Sequence, residues 1–187
     1  MNTVVQTPQR GVLGEAQSPM IKYETTAFTR EALKRGMSRL AFDTKPTALL
    51  TLTVQEPRIR YRNDDGRWLV PDQTLMKKAN NLLHFINSDL FGSKYRDKNK
   101  GFKGFGCIEK QANHQPHLHL AITNPMPPKF YLKAKKVLFK KLKKFSLFHE
   151  SGTDLRLIGG DDADYWRIGD YLGKDGRLLT MGPAGVY

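Results

Sequence analysis

The sequence has 187 residues, the size of one domain, and 39% of them are hydrophobic, which is enough for a single folded core. It is too short for an additional ATP-driven motor domain, its single cysteine excludes an internal disulfide, and it has neither a secretory signal nor a membrane-spanning apolar run. Lys and Arg outnumber Asp and Glu by 31 to 18, and the net charge of +13 predicts a polyanionic partner. Without a signal or an apolar run the protein is expected to be soluble and intracellular, where such a partner is most often a nucleic acid.

The first part of the chain is predicted to contain one helix, one strand and one hairpin. Residues 1–25 lack a sustained hydrophobic period and are expected to form a mobile N-terminal segment. Apolar residues at three- and four-residue steps predict a helix over Thr29–Phe42, and alternating β-branched residues predict the first core strand over Thr47–Gln55. The stretch Asn63–Gly66, between IRYR and RWLV, is typical of a tight hairpin turn.

The second part alternates helices and strands in an order that indicates a fold class. We predict a helix over Pro71–Phe91, strands over Phe102–Lys110 and His117–Thr123, a helix over Pro128–Phe145, a strand over Thr153–Ile158, and a last helix capped by Asp161 or Asp162 and running through Lys174. This order is a split βαβ, ferredoxin-like pattern. We therefore expect one α+β domain over residues 26–187, with its core at about 47–176. It should have an antiparallel sheet with helices on one face, plus an extra N-terminal helix.

The two central strands separate apolar from polar residues by parity, because side chains alternate between the faces of a strand. The even-numbered positions are apolar and should face a core: Ile108, Leu118, Leu120 and Ile122. The odd-numbered positions are polar and should share the other face: Glu109, Gln111, His117 and His119. A turn centred on His114 would place Glu109 opposite His119 and Gln111 opposite His117.

Two imidazoles and a carboxylate on one strand face, from His117, His119 and Glu109, form a donor set for a divalent ion. Oxygen and nitrogen ligands without sulfur suit manganese, magnesium or zinc. A His-x-His pair by itself also occurs on strand faces that only contact water, and Glu109 in register with the pair is what favours a metal site. Three further candidates have no partner pattern and are expected to be structural: His84, His149 and Cys107.

Tyr171 and Lys174 lie three residues apart in the last predicted helix, so their side chains project from one face. A phenol beside an ammonium is a usable nucleophile, because a nearby cation stabilises the phenolate. The same spacing fits a packed tyrosine with a lysine extended along it, so the pair indicates a function only in combination with the hairpin. Tyr165 is six residues from Tyr171, about 120° around the helix, which favours a single nucleophilic tyrosine.

Three stretches of the sequence, and the order in which they follow one another, resemble the motifs of the histidine–hydrophobic–histidine (HUH) endonucleases that initiate rolling-circle DNA replication. They are LLTLT over Leu49–Thr53, CIEKQANHQPHLHLAI over Cys107–Ile122, and DYLGKDG over Asp170–Gly176. The first motif departs from the Phe-Leu-Thr-Tyr-Pro form of the viral members, so a bacterial plasmid or phage initiator of the single-tyrosine type fits better. The resemblance covers about residues 47–176.

The resemblance implies a role for each motif residue. Glu109, His117 and His119 would hold Mg²⁺ or Mn²⁺ at the scissile phosphate. Tyr171 would attack the phosphate, remain bonded to its 5′ side and release a 3′ hydroxyl. Lys174 would stabilise the phenolate, position the phosphate, or both. The protein would act in the cytoplasm of a bacterial host, or in the nucleus if it came from a eukaryotic virus.

The expected substrate is a single-stranded or hairpin origin DNA, whose phosphates are reachable from an open sheet. Two sets of residues are candidate DNA contacts: the hairpin residues Arg58, Arg60, Tyr61, Arg62, Arg67 and Trp68, and the helix residues Lys133, Lys136, Lys140 and Lys144. The lysine set also fits a merely solvated helix face. A phosphate-binding loop of the P-loop type is missing from the sequence, so a separate helicase and a DNA polymerase are expected partners, and a membrane is not.

Two other interpretations remain open at this stage. A transposase or a mobilisation relaxase would use the same residues to move DNA, although circularly permuted relaxases place the tyrosine before the histidine pair. The alternative from a different class is a non-enzymatic, basic, ferredoxin-like nucleic-acid-binding module whose histidines have no joint role.

Overall fold

The computed structural model describes residues 27–54, 70–110, 116–174 and 177–187. The helices in these ranges are α1 (Ala27–Thr44), α2 (Asp72–Phe91), α3 (Pro128–Leu142) and α4 (Asp162–Leu172). The strands are β1 (Ala48–Thr53), β2 (Gly104–Lys110), β3 (Pro116–Ile122), β4 (Asp154–Leu157), β5 (Arg177–Gly182) and β6 (Gly185–Val186). The predicted N-terminal segment and the hairpin around Asn63–Gly66 lie outside the described residues. None of the helices in the described ranges is long and apolar enough to cross a lipid bilayer.

The strands form one antiparallel sheet in the order β4-β1-β3-β2-β5-β6. Helix α2 joins β1 to β2, which lie on either side of β3, and α3 joins β3 to β4, which lie on either side of β1. Each crossover therefore skips one strand, which is the split βαβ arrangement. The α+β class and the antiparallel sheet predicted from the sequence are confirmed.

One face of the sheet carries the even-numbered apolar residues of the central strands. Leu50 and Leu52 of β1 and Leu118 and Leu120 of β3 are at most 1% exposed. Helices α2 and α3 cover this face with stripes at helical spacing: Leu75, Ala79, Leu82, Leu83 and Ile86 on α2, and Ala134, Leu138 and Leu142 on α3. This larger core is the one that the parity of the strands predicts.

The opposite face is also covered by helices, so the prediction of helices on one face is wrong. Helices α1 and α4 pack on Leu49, Phe105 and Ala121 of the sheet, together with Cys107. These odd-numbered positions are apolar over the half of the sheet that α1 and α4 cover, and leaving them in water would expose a large hydrophobic surface. The polar odd-numbered residues occupy the rest of that face, so the candidate site lies at the edge of a second, smaller core.

Strands β5 and β6 extend the sheet past the core expected from the sequence. β5 pairs with β2, with Phe105 opposite Thr180, and β6 pairs with β5. Asn80 of α2 holds β6 in place: its Nδ2 donates to the carbonyl oxygen of Val186 at 3.1 Å, and its Oδ1 accepts from the Val186 amide at 2.6 Å. The sequence interpretation assigned no strand after Lys174, because this stretch is short and Gly182, Pro183 and Gly185 interrupt its alternation.

Two glycines allow α1 and α4 to approach each other at backbone distance. A Cβ atom at Gly169 of α4 would overlap the backbone of Ser38 and Met37, and one at Gly173 would overlap the Cα of Lys34. Gly169 and Gly173 are four residues apart, so both lie on the side of α4 that faces α1. The missing side chains therefore set the distance between these helices.

We expect Gly169→Ala to destabilise the protein by about 1–3 kcal/mol, because the new methyl group forces α1 away from α4. Gly36→Ala is the matched control: Gly36 lies in α1 with no atom within 4 Å of a built Cβ, and alanine there should stabilise the helix by about 0.5–1 kcal/mol. Urea unfolding of both variants measures the difference. Equal stability of the two variants would contradict the close packing at Gly169.

Candidate active site

The β2–β3 hairpin brings the polar odd-numbered residues to one face, but in a different register from the one predicted. Glu109 lies opposite His117, and Cys107 lies opposite His119, so the predicted pairing of Glu109 with His119 is wrong by two residues. A shift of two residues keeps every side chain on its face, so the hydrophobic pattern cannot distinguish the two registers. Residues 111–115, which include Gln111 and His114, lie outside the described part of the chain.

His119 is held from both sides of its ring. It is 2% exposed, its Nδ1 lies 3.1 Å from Oγ1 of Thr51 on β1, and its Nε2 lies 2.9 Å from Oε2 of Glu109. Thr51 pairs directly with His119 across the β1–β3 ladder. Glu109 reaches His119 as a diagonal neighbour, which a long side chain on the same face can do. The position of the ring is therefore set by two different strands.

Tyr171 of α4 completes a hydrogen-bonded cluster with these two residues. Its hydroxyl donates to Oε2 of Glu109 at 3.2 Å and lies 3.2 Å from Nε2 of His119. The ring is half-buried and stands edge-on to the His119 ring, with the centroids 5.0 Å apart. Residues 62 positions apart in the chain thus meet at one carboxylate oxygen. We call Glu109, His119 and Tyr171 the tyrosine cluster.

Burial keeps both imidazoles of the hairpin neutral at physiological pH. It lowers the pKa of His119, and the negative charge and hydrogen bond of Glu109 only partly oppose this effect. It also lowers the pKa of the half-buried His117, again against the charge of Glu109. The two rings are adjacent, with centroids 5.9 Å apart. Two neutral imidazoles can therefore act as nitrogen donors to a metal or as proton acceptors.

The phenol of Tyr171 is also held in its neutral form. Burial, the negative charge of Glu109 and the hydrogen bond to Glu109 together raise the pKa of Tyr171 to about 12. Lys174 follows the end of α4, is exposed, and places its Nζ 5.2 Å from the centroid of the Tyr171 ring. Both roles expected for Lys174, stabilising a phenolate and positioning a phosphate, stay predictions.

The donor types at the site fit a divalent ion, because one carboxylate and two neutral imidazoles are oxygen and nitrogen ligands. The described residues, however, contain no group of three His, Cys, Asp or Glu side chains already arranged to hold a metal ion. Glu109 and His119 are instead hydrogen-bonded to each other and to Tyr171. An ion bound here would have to replace these hydrogen bonds.

Two of the three residues expected to be structural, His84 and Cys107, make contacts within the fold. His84 contacts the hydroxyl of the buried Tyr95 through Nδ1 at 2.9 Å, and Cys107 is 2% exposed within the smaller core. Asp161 caps α4 by accepting from the Asp164 amide at 2.6 Å. Tyr165, the other tyrosine of α4, is 7% exposed, and among the described residues it forms no hydrogen bond to the tyrosine cluster.

Among the described residues, the candidate DNA contacts lie on or just beyond α3 and not beside Tyr171. Lys133, Lys136 and Lys140 are exposed on α3, and Lys144 is exposed just beyond it. Helix α3 covers the face of the sheet opposite the tyrosine cluster, so these lysines lie on the far side of the sheet. The hairpin candidates lie outside the described residues: Arg58, Arg60, Tyr61, Arg62, Arg67 and Trp68.

Arg156 and Arg167, which the sequence interpretation did not select as site residues, line the same pocket as Tyr171. Arg156 of β4 pairs opposite Leu49, so it shares the face of the tyrosine cluster. Arg167 and Trp166 precede Tyr171 on α4, and the Trp166 ring is 45% exposed and packs on Phe42 at 5.6 Å. The alternation along β4 (DLRL) predicts that the side chain of Arg156 lies on the opposite face of the sheet from Leu155 and Leu157. Only the pairing of β4 with β1 shows which of the two faces that is.

No protein-family model matches the chain, and no match is found among curated proteins or solved structures. The function is therefore inferred from the geometry of the site and from the motifs.

The tyrosine cluster predicts how the Tyr171 phenol titrates. Glu109→Gln should lower the pKa of Tyr171 from about 12 to a value that stays above 10.0, because the negative charge is removed while the burial remains. The ultraviolet absorbance of phenolate, measured as each protein minus its Tyr171→Phe counterpart, isolates this group. Glu150→Gln, at an exposed glutamate, is the control and should leave the titration unchanged. An unaltered Tyr171 titration in Glu109→Gln would show that the two groups are not in contact.

Proposed function

We propose that the protein is a metal-dependent endonuclease that nicks and joins single-stranded DNA and initiates rolling-circle replication through a 5′-phosphotyrosyl intermediate. The observation that supports this best is the Tyr171 hydroxyl, which lies 3.2 Å from both Glu109 and His119. A tyrosine oxygen beside a carboxylate that can take its proton has the arrangement that nucleophilic catalysis requires. The chain order of the three motifs adds independent support from the sequence.

The cleavage step transfers one phosphodiester linkage from DNA to the protein. The Tyr171 oxygen attacks phosphorus and gives its proton to the Glu109 carboxylate, to which its hydroxyl donates. The bond from phosphorus to the 3′ oxygen breaks, and that oxygen leaves and takes up a proton. The phosphate stays bonded to Tyr171 on its 5′ side. Joining is the reverse transfer to a 3′ hydroxyl, so it needs no ATP.

The raised pKa of Tyr171 explains why the tyrosine would need help at this step. A phenol that is neutral at pH 7 is a poor nucleophile, and a cation near the phosphate must offset the burial and the charge of Glu109. A divalent ion held by Glu109, His117 and His119 supplies Lewis acidity toward the phosphate oxygens when it is bound. Lys174, whose Nζ lies 5.2 Å from the centroid of the Tyr171 ring, would contact the same phosphate.

The proposed substrate is single-stranded or hairpin origin DNA. Tyr171 is half-buried at the edge of the smaller core, and a flexible single strand can bring a phosphate to it more readily than a rigid duplex. The excess of basic residues supports a polyanionic substrate. A separate helicase and a DNA polymerase are proposed partners in the host cell cytoplasm.

Tyr171→Phe should abolish the covalent protein–DNA adduct while leaving the affinity for single-stranded DNA within about threefold, because only the nucleophilic oxygen is lost. The adduct is detected as a protein band shifted in denaturing gels after incubation with single-stranded oligonucleotides and manganese. Tyr165→Phe is the control on the same helix and should keep the adduct. An adduct that persists in Tyr171→Phe would show that another residue is the nucleophile. A wild-type protein that binds DNA without forming an adduct would favour the non-enzymatic binding module.

The metal proposal is tested by direct binding of manganese. His117→Gln and Glu109→Gln should each weaken the affinity for Mn²⁺ by at least about tenfold, because a site with three protein ligands loses one of them. Isothermal calorimetry without DNA gives the affinity, and circular dichroism verifies the fold. His84→Gln serves as the control, since His84 contacts Tyr95 and not the hairpin. Unchanged Mn²⁺ binding in a His117→Gln/Glu109→Gln double variant would exclude a metal site on the hairpin.

A further inference from the structure

A pocket of about 400 Å³ lies directly beside Tyr171, between the edge strand β4 and helix α4. We call it the β4–α4 pocket; its lining includes Arg156, Ile158, Gly159, Asp164, Arg167 and Ile168, with Tyr171 at one side. Its volume is in the range of pockets that hold small ligands. The pocket opens at the edge of the sheet, so an extended chain can enter it and continue outward.

The walls of the pocket combine apolar and cationic groups. Ile158 and Ile168 pack against the smaller core, in the same cluster as Tyr171. Gly159 has no side chain, and a Cβ there would overlap the Asp164 carboxylate. Asp164 can therefore fold back against the backbone of the pocket, and it holds the guanidinium of Arg167 at 3.2 Å. The pocket wall therefore has an apolar strip formed by Ile158 and Ile168, and Arg167 at its rim is oriented by Asp164.

Arg156 connects the pocket to the tyrosine cluster. It lies on β4 opposite Leu49, so its side chain is on the same face as His119 and Tyr171, and it is exposed. Arg156 and Tyr171 both line the β4–α4 pocket, so the guanidinium is within reach of a phosphate that enters the pocket beside Tyr171.

We propose that the β4–α4 pocket binds one nucleotide of the single strand, the one next to the scissile phosphate, with Arg156 on its phosphate and the base between Ile158 and Ile168. The inference rests on the proposed nicking function, because it identifies the subsite adjacent to the nucleophile. Arg167, oriented by Asp164, contacts the backbone at the rim. The subsite would fix which phosphate reaches Tyr171, while the lysines of α3 on the opposite face take no part in it.

The first test measures the phosphate contact without cleavage. The probe is a fluorescent single-stranded 15-nucleotide DNA of mixed sequence in EDTA, titrated at several salt concentrations. Arg156→Gln should weaken binding by about tenfold and reduce the slope of log affinity against log salt by about 0.7, the value for one phosphate on a single strand. Arg96→Gln removes the same charge at an exposed position beside the Tyr95 ring and should change both much less. Equal behaviour of the two variants would overturn the role of Arg156.

The second test locates the nucleotide in the pocket. Ile158→Cys places a thiol in the lining, and the native Cys107 is buried and should react slowly with iodoacetamide. A saturating amount of the same oligonucleotide should slow alkylation at position 158 by at least about fivefold. Leu132→Cys, on α3 at a position that is 64% exposed, is the control and should react at the same rate with and without DNA. Alkylation at position 158 that DNA does not slow would exclude a nucleotide from the pocket.

The two proposals fail in different ways. Neither test needs cleavage. If the wild-type protein forms no adduct but DNA slows alkylation of the Ile158→Cys variant, the nucleotide subsite is kept and the nicking function is lost. If the wild-type protein forms the adduct on Tyr171 but DNA does not slow alkylation of the Ile158→Cys variant, the function is kept and the subsite is lost.

Discussion

The close backbone contact between α1 and α4 is the constraint on which the candidate site depends. Gly169 and Gly173 allow the two helices to pack as a unit over Leu49, Phe105 and Ala121 on the second face of the sheet. This packing places Tyr171 against a strand pair more than 50 residues away in sequence. Without α1 as a support, α4 would have only a few apolar contacts with the sheet, and the tyrosine would have no defined position.

The site is built from polar groups at the border of a core, and its electrostatics follow from that location. Burial neutralises His119 and Tyr171, and Glu109 is the charged member around which both are arranged. Thr51 and the neighbouring strands orient the ring of His119, so the groups are held in place before any ligand arrives. Such pre-organisation favours catalysis, because the protein does not have to reorient its dipoles when charge develops. The same burial disfavours the phenolate, so the proposed chemistry depends on cations near the phosphate.

The positive charge of the protein is distributed unevenly with respect to this site. The lysines of α3 cover the large core on one side of the sheet, whereas Arg156, Arg167 and Lys174 lie on the side of Tyr171. Composition predicts a polyanionic partner but carries no information about which side of the sheet receives it. The lysine-rich helix is the most conspicuous basic feature of the sequence, yet it is the arginine of a four-residue edge strand that stands next to the nucleophile.

The sequence by itself determined the elements, their order and the face on which the hairpin residues lie. Periodicity is a local property, so Glu109, His117 and His119 were correctly assigned to one side, and each predicted element in the described ranges was found to within three residues at either end. The tertiary structure alone decided the register of the hairpin, the second helical layer, strands β5 and β6, and the pocket beside Tyr171. These features depend on contacts between segments that are distant in the sequence. The alternation of apolar and polar residues is the same whether or not the hairpin register shifts by two residues, and whether a helix packs on one face of the sheet or the other. Arg156 is the clearest case: the sequence does not say on which face of the sheet its side chain lies, and the pairing of β4 with β1 opposite Leu49 decides it.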